Sequence, residues 1–201
     1  MAGRVPLVEF DTLDANLRLW FLAIFHADIR QAQLFVSDAL TLARQGQDDQ
    51  NPDSWYCRSH DAAIVRYARC FLACRLPDGK ANTRLPDRYR IDGPLKVIHD
   101  RTMKLRHVIV AHADLRERHF TLTKVYEDDA KAGRWNLATS GGNFPPQALT
   151  IFASLCEIHR KMLVREMVPM IESRLSTMDV GETITLASNR GGEMYWLHNS
   201  T

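Results

Sequence analysis

The sequence predicts a mainly helical protein, a bundle of long helices decorated by small β-hairpins. Two long stretches, Leu13 to Ala43 and Gln147 to Leu175, place apolar residues every three or four positions, the period of a helix with one buried side. Only 10 Gly and 8 Pro occur in 201 residues, which excludes a collagen-like or low-complexity chain. Two short pairs of β-prone runs supply the hairpins.

In the first helix Leu13, Leu17, Trp20 and Ile24 set the stripe, and no Gly or Pro interrupts the pattern until Gly46, so one helix or two in line is expected. QGQDDQNPDS breaks it. Ser54 or Asp53 can cap a second helix running to about Leu76, with Ile64, Ala68 and Phe71 on its apolar side. LPDGKANTRLPDRYRIDG is rich in turn formers and basic, which predicts an ordered or semi-ordered surface loop. Asp92-Gly93-Pro94 then starts a third helix, since proline at the first helical position loses no needed hydrogen bond. That helix should reach about His112 on the stripe Leu95, Ile98, Thr102, Leu105, Ile109. FTLTKVY (120–126) and WNLAT (135–139) predict a hairpin across an acidic turn, and Ser140 to Pro146 leads into the last long helix. TITLA (183–187) and EMYWL (193–197), joined by Asn189-Arg190-Gly191-Gly192, predict a second hairpin. The expected division is a helical domain over 1–175, with a hairpin insertion at about 119–139, and a carboxyl-terminal hairpin extension over 176–201.

At this size roughly 70% of the chain's surface can be buried, so no disulfide or metal staple is required. With 45% hydrophobic and 25% charged residues, a disordered or low-complexity chain is excluded. Cys57, Cys70, Cys74 and Cys156 lack the paired spacing of a closed zinc site and are expected to be reduced, packed thiols. The most apolar window, Leu19 to Phe25, falls short of the roughly 20 residues a bilayer needs. MAGRVPLVEFD has no apolar run of a leader, and the expected compartment is the cytoplasm.

Charge is unevenly spread. Arg58 to Arg106 holds twelve Lys+Arg against five Asp+Glu, a local +7, and the remainder fourteen against nineteen, or −5. A concentrated positive face suits a polyanion such as RNA, with Arg66, Arg69, Arg101 and Lys104 as candidate phosphate contacts. For Arg66 and Arg69, salt bridges within the chain are the alternative.

The segment from Leu105 to Asp114, LRHVIVAHAD, carries the chemistry. Metal-free cleavage of RNA needs a base for the 2′-hydroxyl, an acid for the leaving 5′-oxygen and a fixed cation for the charge on phosphorus. His112 suits the proton transfers. Arg106 suits the cation, because its fork holds phosphate oxygens in a set orientation. Residues six apart on a helix lie about 120° apart and roughly 9 Å along the axis, so Arg106 and His112 flank a groove rather than touch. A seam shared with a second subunit would gather two of each. His107 is either a solvent-facing or orienting residue or a third participant. Asp114 either caps the helix end or pairs with Arg116 or Arg118.

An arginine, a polar residue and then a histidine near the end of a helix resembles the signature of HEPN-domain proteins, with Arg106, His107 and His112 at its positions. DAAIVRYARCF from Asp61 also resembles the helix preceding the motif in the abortive-infection branch of that family. The resemblance spans roughly residues 10–175. It implies a dimeric helical bundle acting as a metal-independent endoribonuclease without a cofactor, as a toxin or phage-defence component, with RNA as substrate and an antitoxin protein as a possible partner. A non-catalytic HEPN-like module for dimerisation or partner binding is the alternative. The His60-Asp61 and His99-Asp100 doublets carry a further one, an HD-type metal phosphohydrolase using His26, His60, Asp61 and Asp114. Against it, His60-Asp61 lies at a helix start, where aspartate is favoured anyway.

Overall fold

In the computed structural model, described over residues 5–47, 54–111, 118–125, 134–141, 144–176, 183–188 and 194–199, the protein is mainly helical with small β additions. Side-chain environments are described for 5–47, 54–107 and 144–176. Helix α1 spans Ala15–Arg44 without interruption. Its start is set by Asp14, whose carboxylate accepts the Leu17 amide at 3.0 Å, a cap the periodicity did not reveal. Helix α2 spans Trp55–Arg69 and is capped by Ser54, whose Oγ accepts the Cys57 amide at 3.1 Å. Asp53, the other candidate cap, lies outside the described residues.

Helix α2 ends at Arg69, before the expected Leu76. The amides of Cys70 and Phe71 turn back to the carbonyls of Tyr67 and Ala68 at 3.3 and 3.0 Å, tightening the last turn. The chain then makes a two-residue strand, β1 (Cys74–Arg75), antiparallel to β2 (Asn82–Thr83). Gly79 carries the turn between them at φ 71°, a conformation L side chains resist. Residues 76–93, expected as an ordered or semi-ordered surface loop, are mostly loop and turn, but four of their side chains are buried. Leu85 and Tyr89 are each 2% exposed, and Ala81 and Thr83 are also buried. The segment is bound to its surroundings by backbone hydrogen bonds, Val8 N–H to the Asn82 carbonyl at 2.8 Å and Leu85 N–H to the Cys70 carbonyl at 3.1 Å. Turn-forming composition masked the apolar residues recurring at 81, 85 and 89.

Helix α3 spans Pro94–Ala111, starting at the proline as expected. Strands β3 (Arg118–Val125) and β4 (Arg134–Gly141) form an antiparallel hairpin in the register Phe120 to Thr139 and Leu122 to Leu137. Helix α4 spans Pro146–Leu175 and contains Pro169. Strands β5 (Thr183–Ser188) and β6 (Met194–Asn199) pair antiparallel, with Leu186 opposite Trp196. The turn residues 126–133 and 189–193 lie outside the described residues.

The chain forms two compact units that interleave along the sequence: residues 1–31, 66–92 and 156–201 in the first, 32–65 and 93–155 in the second. The first has an aromatic core in which Phe25 meets Phe10 and Phe21 at 6.3 and 5.7 Å between ring centres. The second packs Tyr56, Ile64, Leu105, Leu149 and Phe152, each 2% exposed or less. Its α4 entry is held by α2: the Tyr56 hydroxyl donates to the Phe144 carbonyl at 3.0 Å, and the Phe144 amide donates to His60 Nε2 at 2.9 Å. Tyr56 and His60 are one helical turn apart, so both meet the backbone of the same residue.

The described cysteines are unbridged. Burial pushes the Cys70 thiol well above its usual range, with the Asp28 charge adding to it, and burial alone raises Cys156. The thiolate is the reactive form. A disulfide reagent at neutral pH should therefore leave Cys70 and Cys156 unmodified in the native protein and titrate all four thiols after denaturation. Peptide mapping checks this, and rapid native labelling of Cys156 would contradict its packing.

Candidate functional site

Helix α3 carries four of the expected site residues. Its buried face is drawn by Ile98, Thr102 and Leu105, with Thr102 Oγ1 donating to the Ile98 carbonyl at 2.7 Å. At 100° per residue Arg106 lies at one border of that face, beside the direction of the buried His99, and it is half-buried. His107 and Lys104, three residues apart, occupy the outer face and are exposed. Arg101 is half-buried at the opposite border, about 140° around the helix from Arg106. The helix therefore distributes its cations over about 220° of its circumference instead of aiming them at one point. On the outer face Lys96 pairs with Asp100.

Among the described residues no carboxylate pairs with Arg106. The backbone continues as helix through Ala111, one residue before His112. His112 and Asp114 lie outside the described residues.

Arg66 and Arg69, near the end of α2, are brought together on one carboxylate. Arg66 Nη1 donates to Asp28 Oδ1 at 2.9 Å and Arg69 Nη1 approaches the same oxygen at 3.4 Å. The Asp28 side chain is only 7% exposed, whereas the two arginines are 43% and 52% exposed. A buried carboxylate needs such partners, so part of the positive charge here neutralises Asp28.

Of the residues of the metal-site alternative, His60 and Asp61 are otherwise employed, His26 Nε2 is buried without a hydrogen-bond partner, and Asp114 lies outside the described residues. His60 is 1% exposed; its Nε2 accepts the Phe144 amide and its Nδ1 lies 3.3 Å from Asp61 Oδ1. Both nitrogens are used, which makes His60 the anchor of the α4 entry. His26 is held below the usual histidine range by burial and by the charges of Arg160 and Arg30, surroundings that disfavour a cation. Among the described residues no three His, Cys, Asp or Glu side chains cluster as a metal site.

Two polar assemblies in the first unit escaped the sequence reading. His159, fully buried, has Nε2 at 2.7 Å from the Tyr89 carbonyl and Nδ1 at 3.5 Å from the Tyr67 hydroxyl. It lies on the α4 stripe with Phe152, Leu155 and Leu163, a spacing that was the one signal able to mark it as a core histidine. The second is Glu166. It accepts Arg88 Nη2 at 3.1 and 3.0 Å and the Tyr89 hydroxyl at 2.5 Å, while Arg88 Nη1 also donates to Asp11 at 2.5 Å. The Tyr89 phenol is pushed above its usual range by burial and by that carboxylate, so it remains protonated. Nothing in the local sequence links positions 77 residues apart.

Comparison with known protein families, curated proteins and solved structures finds no match to this chain. Among the described residues no helix is long and apolar enough to cross a membrane.

Proposed function

We propose that this chain is a HEPN-like, metal-independent endoribonuclease that works as a homodimer in the cytoplasm, as a toxin or phage-defence component. The observation that carries the reading is Arg106, half-buried and without a described acidic partner, on the last turns of a proline-started helix whose exposed face presents Lys104 and His107. The surplus of cations between Arg58 and Arg106 supports an RNA substrate.

In this reading the 2′-oxygen attacks the adjacent phosphorus and the bond from phosphorus to the 5′-oxygen breaks. The imidazole of His112 removes the 2′-hydroxyl proton, and a second imidazole, supplied by the partner copy, protonates the departing 5′-oxygen. Arg106 steadies the phosphate oxygens as charge accumulates. His107 orients the phosphate, and Arg101 and Lys104 hold the flanking strand. The products are a 2′,3′-cyclic phosphate and a 5′-hydroxyl.

Incubating the purified protein with mixed RNA in excess EDTA should yield fragments ending in 2′,3′-cyclic phosphate, and His112→Ala should abolish them with the fold retained. Cleavage by the variant equal to the parent rejects the assignment. Loss of cleavage in EDTA, restored by a divalent metal, favours the phosphohydrolase alternative; RNA binding without turnover favours the non-catalytic module.

A further inference from the structure

We propose that a cavity of about 510 Å³ between the first turn of α1 and the last turns of α4 binds a small phosphate monoester with an apolar body. It lies wholly within the first unit, and the inference does not rest on the ribonuclease reading. The lining divides into two chemistries. Arg18, Arg174, Asn16 and Ser173 supply cations and polar groups, and Leu19, Pro169 and Met170 supply an apolar wall. Guanidinium forks match phosphate oxygens, and the volume falls in the range of small-ligand sites.

Arg18 is the decisive residue. Its Nε is shielded from solvent and has no hydrogen-bond partner. The carboxylate near it, Glu166, stands at 3.9 Å, beyond hydrogen-bond reach. Glu166 is instead engaged by Arg88 through both oxygens and by the Tyr89 hydroxyl through one of them. Nε itself is out of a ligand's reach, so an anion in the cavity would meet the outer guanidinium nitrogens of Arg18, whose side chain is 32% exposed. The start of α1 adds a favourable dipole, although Asp14 already takes its Leu17 amide. On the far side Pro169 removes a backbone hydrogen bond from inside α4, and its ring forms part of the wall.

Phenyl phosphate is the probe. Calorimetric titration of the full chain should show one saturable site, with inorganic phosphate binding more weakly and phenol not at all. Arg18→Gln should weaken phenyl phosphate at least about tenfold, the loss expected for a charge-assisted pair. Ser173→Asp, at an exposed position, should do the same by repulsion while leaving the fold intact, and Met170→Trp should block the apolar wall. Absence of saturable binding at millimolar phenyl phosphate overturns the proposal, as does unchanged affinity in Ser173→Asp. Inorganic phosphate binding as tightly as phenyl phosphate overturns the two-part site.

Discussion

Replacing Arg106 by alanine should lower RNA cleavage about 100- to 1,000-fold while leaving the melting temperature nearly unchanged. The size follows from the role: a preorganised cation aimed at charge that develops only in the transition state contributes about 2.7–4 kcal/mol, and it acts on turnover more than on binding. The small effect on stability follows from position. Arg106 lies at the border of the buried face of α3, with its guanidinium tied to no described carboxylate, so its removal leaves no buried charge unpaired. Arg106→Lys separates charge from geometry. It should recover part of the activity, because an ammonium keeps the charge and loses the fork. Single-turnover cleavage of a defined RNA, with thermal melts of each variant, checks both. Unchanged cleavage by Arg106→Ala would remove Arg106 from the mechanism.

That prediction rests on a segment whose local structure was legible and whose tertiary setting was not. Pro94 as the first residue of α3 and the stripe through Ile98, Thr102 and Leu105 follow from local rules, because proline geometry and helical period act over a few residues. The same reasoning located α1, α4 and both long hairpins. It failed where pairing is nonlocal. The residues after Arg69 have helical periodicity, yet β1 pairs with β2 and Leu85 binds the Cys70 carbonyl. Those contacts compensate for a shorter helix. The fate of charges was equally hidden. Arg66 and Arg69 look like an RNA-facing pair in sequence, but Asp28, 38 residues before Arg66, shares both. Ion pairing depends on which helices meet, and helical period alone does not fix that.

Replacing His159 by leucine should destabilise the protein by about 3 kcal/mol, even though leucine is apolar and close in volume. The ring has no exposed surface, so its worth lies in its partners. A carbonyl can only accept, so the 2.7 Å contact to Tyr89 fixes the proton on Nε2 and leaves Nδ1 to receive the Tyr67 hydroxyl at 3.5 Å. Leucine would orphan the Tyr89 carbonyl at a cost of about 1–3 kcal/mol. It would also remove edge-to-face contacts with Tyr67 and Phe71, whose ring centres lie 5.5 and 5.1 Å away, each worth about 0.5–1.5 kcal/mol. For a chain of this size the melting temperature should fall by about 6–12 °C. His159→Gln retains a donor for the carbonyl and should lose less. The order of stability, parent above Gln above Leu, is the signature of a structural hydrogen bond, because loss of ring packing alone would favour leucine over glutamine. Urea melts of the three proteins decide it. A leucine variant as stable as the parent would show that the Tyr89 carbonyl finds another donor and that His159 fills space only.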